Sequence, residues 1–211
     1  MTDAQQSPLA DFLVTKPDIK VLPKKHPKKI TGATTLRPYV SEILDGLGHS
    51  YSVSRYCNYL IINNSIQTEV LHNASFQFQY QQRFRESSNH VGAFCVPEQN
   101  EIYLRRGRFV EVVNYFTHEL GHLLKPQIKK EYLEEAKAFA FQFACAEVIR
   151  ELNVGNLGES IIKEVQTNIK SAQVSRNHRK GLEVIKLLEN EKVPYLEMYD
   201  RILSYYHDKR L

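Results

Sequence analysis

An α+β fold is predicted, with a small, mostly antiparallel sheet from the N-terminal half packed on a long helix and a helical C-terminal half after it. Three observations lead there. Strand-type patterns occur before Arg105 and stop there. Beyond Arg105 the apolar residues recur at three and four, the spacing of helices that bury one face. The 211 residues, 42% hydrophobic and 25% charged, amount to a single domain able to bury a core without disulfides or metal merely to fold.

Taken in order, residues 1–35 read as a basic, mobile arm and residues 36–211 as one domain, helical from about residue 155. The net charge of +4 belongs to the arm: residues 1–38 carry seven Lys/Arg and three Asp, whereas the rest of the chain balances. The centre of the arm, residues 20–29 (KVLPKKHPKK), is basic and broken by prolines, hence extended. Such a stretch suits an acidic partner or nucleic acid, or serves only as a solvated tail. From Leu36 the pattern becomes globular, and a short amphipathic helix is expected with Pro38 in its first turn and Tyr39, Val40, Ile43, Leu44 and Leu47 on its apolar side. Strands are expected at Ser54–Ile62 and at Ser75–Phe84, where Phe76, Phe78, Tyr80 and Phe84 alternate with polar residues. Val91–Val96 and Glu101–Leu104 flank the turn-forming Pro97-Glu98-Gln99-Asn100 and read as a hairpin.

Helices follow at about Arg108–Lys125, ended by Pro126, and at Glu131–Leu152, stopped near Asn153 and Gly155. Three more are expected at about Gly158–Ala172, Arg179–Asn190 and Tyr195–His207. There is no run of 18 apolar residues, and the first 18 residues place acids and a proline where a signal peptide needs basic and apolar ones. A cytoplasmic protein without membrane contact is the expectation. Cys57, Cys95 and Cys145 are far apart in the sequence and read as reduced, partly buried thiols.

The chemistry concentrates in Thr117-His118-Glu119-Leu120-Gly121-His122. Histidines four apart project from one helix face, so both imidazoles reach one ion, and Glu119, offset by about 100 degrees, stands beside it. With 8 His in the chain, the pattern arises by chance roughly 0.03 times. Two features of context support a site. His118 and His122 share a polar helix face with Glu111 and Tyr115, opposite Val113, Phe116 and Leu120. Gly121 costs about 1 kcal/mol inside a helix relative to alanine, which calls for the close approach of another element. Catalytic zinc takes three protein ligands and one open position, and two histidines plus a carboxylate is a recurrent set. The second helix begins with three acids, Glu131, Glu134 and Glu135. The histidines lie about five residues, ~7.5 Å, below the end of their helix, and an antiparallel partner starting near residue 129 regains that height at residues 134–135. This favours Glu135 as third ligand over Glu134, with Glu131 as an acid that orients a histidine.

His118-Glu-Leu-Gly-His122, then Glu135-Ala-Lys-Ala-Phe-Ala140, resembles the ImmA/IrrE family of zincin-type metallopeptidases, whose pattern is HExxH followed by a helix beginning E-A-x-x-F-A. Gly92-Ala-Phe through Asn100-Glu-Ile-Tyr-Leu104 is similar to the strand that precedes the active-site helix in that family. The resemblance covers about residues 90–145. It implies a zincin-like fold, Zn²⁺ on His118, His122 and Glu135, and hydrolysis of a protein or peptide substrate by a zinc-activated water with Glu119 as general base. The strand near Glu101–Leu104 is expected at a sheet edge, aligning an extended substrate. Tyr132, His178 and Tyr195 are candidates for stabilising an oxyanion. Two alternatives stay open: a zinc-containing regulator that acts through the basic arm, and a zincin that has lost its metal.

Overall fold

The computed structural model describes residues 29–30, 36, 39, 42, 67–71, 92–99, 101–124, 126–172 and 175–208. The strands expected at Ser54–Ile62 and Ser75–Phe84, and the basic arm before Lys29, lie outside these residues. So does Cys57. Tyr39 and Glu42, which belong to the first expected helix, are helical and buried, and so is Leu36 before its expected start.

Two small sheets come first. Strand β1 (Lys29–Ile30) pairs antiparallel with β5 (Gly107–Arg108). Strands β2 (Gln67–Leu71), β3 (Ala93–Val96) and β4 (Glu101–Arg105) form a sheet of order β2-β4-β3. The expected hairpin is present: β3 and β4 are antiparallel, Val96 opposite Glu101 and Ala93 opposite Leu104, and the Gln99 N–H donates to the Val96 carbonyl across the turn at 3.0 Å. Two features differ from expectation. Strand β2 runs parallel to β4, with Gln67 opposite Glu101. Strand β4 is therefore central and not an edge, and its Ile102, Tyr103 and Leu104 are buried. The edge next to it is β3, whose other side has no partner strand among the described residues.

Helix α1 (Phe109–Leu123) starts directly after β5. The Glu111 carboxylate reaches back to accept from the Arg108 N–H at 3.3 Å, which satisfies a donor the helix leaves open at its start. Phe109, Val112, Val113, Phe116, Leu120 and Leu123 recur at helical spacing and are all buried. The backbone leaves the helix at Leu124 (φ −66°, ψ 132°), as it must shortly before Pro126. Helix α2 (Glu131–Leu152) is the centre of the molecule, packed against α1, α3 (Glu159–Ala172), α4 (Arg176–Asn190) and α5 (Tyr195–Asp208). Burial on so many sides explains its composition: Ala136, Ala138, Ala140, Ala144 and Ala146 let neighbours approach, while Phe139, Phe141 and Phe143 fill the spaces between them. Each such phenylalanine contributes about 1.5–3 kcal/mol by leaving water. Asn153, left-handed at φ 51°, ends α2 by donating its N–H to the carbonyls of Ile149 and Arg150.

Helix α4 begins at Arg176, three residues before the expected start, so Asn177 and His178 belong to its first turn. Among the described residues no helix is long and apolar enough to cross a membrane.

Candidate metal centre

Helices α1 and α2 run side by side from a short connection, and two polar devices lock their relative height. The Gln142 amide donates to the Asn114 side-chain oxygen at 2.6 Å and to its carbonyl at 3.2 Å. Lys137, fully buried, donates to the carbonyls of Leu124 (2.7 Å) and Pro126 (3.2 Å) and so closes the α1–α2 connection. Gly121 sets the distance. A side-chain carbon built there would stand 2.7 Å from the Cα of Ala138, far inside contact, so only glycine lets the helices come this close.

At this height His118 and His122 face Glu135. Glu135 Oε2 lies 3.5 Å from His118 Nε2 and 3.6 Å from His122 Nε2. A third imidazole joins them from α4, with His178 Nε2 3.4 Å from the same oxygen. That oxygen is buried and accepts no hydrogen bond from any of the three. The separations exceed the usual 2.7–3.2 Å of a hydrogen bond. They match the distance between donors that share one ion: zinc ligands at about 2.0–2.2 Å in a tetrahedron stand about 3.3–3.6 Å apart. Donor atoms of His118, Glu135 and His178 all lie within 4.8 Å of one another, a group that His122 does not join although its Nε2 is 3.6 Å from Glu135 Oε2. The residues therefore fit a small cation of imidazole and carboxylate preference.

Around these donors is a supporting layer. Glu134 Oε1 stands 3.3 Å from His122 Nδ1 and 2.7 Å from Lys137 Nζ, while its Oε2 accepts from the Ile128 N–H at 2.7 Å. A carboxylate on the far nitrogen of a histidine fixes the tautomer that leaves Nε2 free to bind. Glu134 thus holds the orienting place expected for Glu131, which instead accepts a hydrogen bond from Asn177 of α4. The reason is helical geometry. Glu131 is one turn earlier and meets the start of α4, whereas Glu134 is level with His122.

The charge balance follows. Burial raises the Glu135 carboxyl, but His118 and His122 outweigh it and hold the group well below the ordinary carboxylate range. Burial likewise works against a charged His122, yet Glu134 and Glu135 push it up to about 10. For His178 burial dominates and lowers it. Glu119 points toward the sheet: the Cys95 thiol on β3 is pushed up by burial first, then by the charge of Glu119 and by a hydrogen bond to it. The carboxylate also acts on His122 and His178 through space, so it lies beside the three-histidine group.

Of the three residues considered for an oxyanion, His178 alone meets Glu135. Tyr132 carries the ammonium groups of Lys130 and Lys180 over its ring at 5.2 and 5.7 Å. Tyr195 donates its hydroxyl to Glu189 at 2.7 Å and stacks on Phe143. The role of Lys137 and the placement of Cys95 beside Glu119 escaped the sequence reading, which took Cys95 only as a reduced, partly buried thiol. A lone lysine in an Ala/Phe-rich helix was a signal for the first, whereas nothing in the sequence pairs Cys95 with Glu119.

Comparison with family models, with curated proteins and with solved structures finds no match to this chain.

Proposed function

We propose that this protein is a zinc-dependent metallopeptidase of the ImmA/IrrE type. The observation that carries the reading is the convergence of both histidines of the His-Glu-x-x-His helix on Glu135 Oε2, at 3.5 and 3.6 Å, on a carboxylate oxygen that has no hydrogen-bond partner. His118, His122 and Glu135 would hold the ion. Zinc bound by two histidines and a carboxylate supplies Lewis acidity toward a carbonyl and activates water near neutral pH.

The chain's own residues supply the rest. Glu119 is the base: it lies beside the cluster, takes a proton from the attacking water and delivers it to the leaving amine. Cys95 stands near this carboxylate, whose charge and hydrogen bonding help to raise its thiol after burial. Glu134 and Lys137 keep His122 in its binding tautomer. Strand β3 offers an edge on which an extended peptide adds as a further strand, a role moved here from β4 because β4 is central.

The test is metal content and cleavage together. The purified full-length protein is expected to carry one equivalent of zinc, to cut an unfolded protein substrate, to lose both properties to a chelator and to regain both on adding zinc. Cleavage that survives complete removal of metal contradicts the proposal.

A further inference from the structure

We propose that His178 is a fourth protein ligand, so that the centre has four donors: His118, His122, Glu135 and His178. The inference rests on the zinc reading above and adds to it a resting state in which the metal position is closed.

The distances carry the argument. His178 Nε2 is 3.4 Å from Glu135 Oε2, no farther than the two histidines of α1 at 3.5 and 3.6 Å. His178 also belongs with His118 and Glu135 to the group whose donors lie within 4.8 Å of one another, to which His122 is linked by its 3.6 Å approach to Glu135 Oε2. A residue placed only to hydrogen-bond a substrate has no reason to stand at ligand spacing from the metal's own carboxylate. The fold is shaped to bring it there. Gly181, one turn after His178, lies against the Glu135 level of α2: a side-chain carbon there would meet Glu135 Cβ at 2.9 Å and the Ala136 nitrogen at 3.0 Å. The start of α4 is tied to α2 a second time by the hydrogen bond from Asn177 to Glu131. The imidazole is stacked against that of His118, centroids 5.9 Å apart and 19° from parallel, with the Phe139 ring edge-on to it at 5.8 Å. Its Nε2, 3.4 Å from Glu135 Oε2, is the atom that faces the centre, and its Nδ1 is buried without a hydrogen-bond partner.

Four protein donors leave a tetrahedral ion no vacant position. His178, whose side chain is 34% exposed, is the ligand with access to solvent, and it comes from a different helix from the other three. Were an ion held by all four, an entering carbonyl or anion would compete for the place of His178, the most exposed of them.

The experiment uses the full-length protein. Zinc affinity is measured by competition with a chromophoric chelator, and the cobalt(II) form is titrated with azide while its visible absorption is followed. His178→Ala and His178→Gln are compared with the wild type and with Arg179→Ala, an exposed neighbour. Circular dichroism establishes that each is folded, and the Gln variant, which keeps bulk and polarity, carries the test should the Ala variant fail to fold. Expected is a loss of zinc affinity of at least about 10–100-fold in the His178 variants, the cost already incurred when a residue merely supporting a ligand is removed. One equivalent of metal still binds at saturation, the cobalt spectrum changes, and azide binds at least tenfold more tightly than in the wild type. Zinc affinity within twofold of wild type with an unaltered cobalt spectrum overturns the fourth ligand and leaves the proposed function intact. A wild-type chain that takes up no zinc, or whose zinc binding ignores His118→Ala, overturns both.

Discussion

The Cα of Ala138 stands 2.7 Å from the point that a side chain on Gly121 would occupy, with the Ala138 carbonyl oxygen at 3.0 Å. Helix α1 gives up about 1 kcal/mol of helix propensity at this position. In exchange, the two backbones approach closely enough for imidazoles on one helix and a carboxylate on the other to meet. Gly121→Ala should therefore destabilise the protein by about 1–3 kcal/mol despite alanine's better propensity, because the clash is with backbone that has nowhere to move. Zinc affinity should fall with it as Glu135 is pushed from the histidines. Chemical denaturation and a metal competition assay read the two effects; an alanine variant as stable as wild type would show that the helices are not in contact here.

The three acids at the start of α2 should separate cleanly. Glu135→Ala removes a ligand and is expected to reduce bound zinc to a small fraction. Glu134→Ala leaves the ligands but frees His122 Nδ1 and takes the countercharge from the buried Lys137, which keeps its two carbonyl acceptors, so zinc affinity should fall about 10–100-fold and stability by up to about 3–5 kcal/mol. Glu131→Ala, which loses the hydrogen bond from Asn177 but no donor of the centre, should lower zinc affinity far less than either of the other two changes. Metal loss in the Glu131 variant alone would reverse the assignment.

Metal uptake should release a proton. Without metal His122 is held protonated up to about 10 by Glu134 and Glu135, whereas a ligating imidazole is neutral. Below that pH, zinc must displace the proton, so affinity rises with pH by about one decade per unit. Calorimetry near pH 7 in two buffers of different ionisation enthalpy should give about one proton released per zinc. A value of zero would mean that His122 is already neutral or is not a ligand.

Much of this site was legible in the sequence because helical spacing is a local rule. The projection of His118 and His122 from one face, the reason for Gly121 and the height of residues 134–135 follow from 3.6 residues per turn and from where Pro126 breaks the chain. The hairpin was legible through its turn residues. The rest depends on tertiary placement. His178 lies 56 positions beyond His122, and only the packing of α4 on α2 through Gly181 brings it to Glu135. Glu134 holds the orienting role expected of Glu131, because Glu134 is level with His122 while Glu131, one turn earlier, meets Asn177 of α4. The parallel ladder of β2 with β4 was hidden as well, since Gln67–Leu71 carries no alternation and its pairing is set by chain that returns from elsewhere.

The central claim, hydrolysis with Glu119 as base, is tested most directly by the cleavage rate of an unfolded protein by Glu119→Gln at full zinc occupancy. The amide keeps the shape and the helix but cannot accept a proton, and general acid–base catalysis contributes about 10²–10⁴-fold. The account predicts a fall of that size with zinc content, fold and melting temperature unchanged. Cleavage by the Gln variant at the wild-type rate would contradict it.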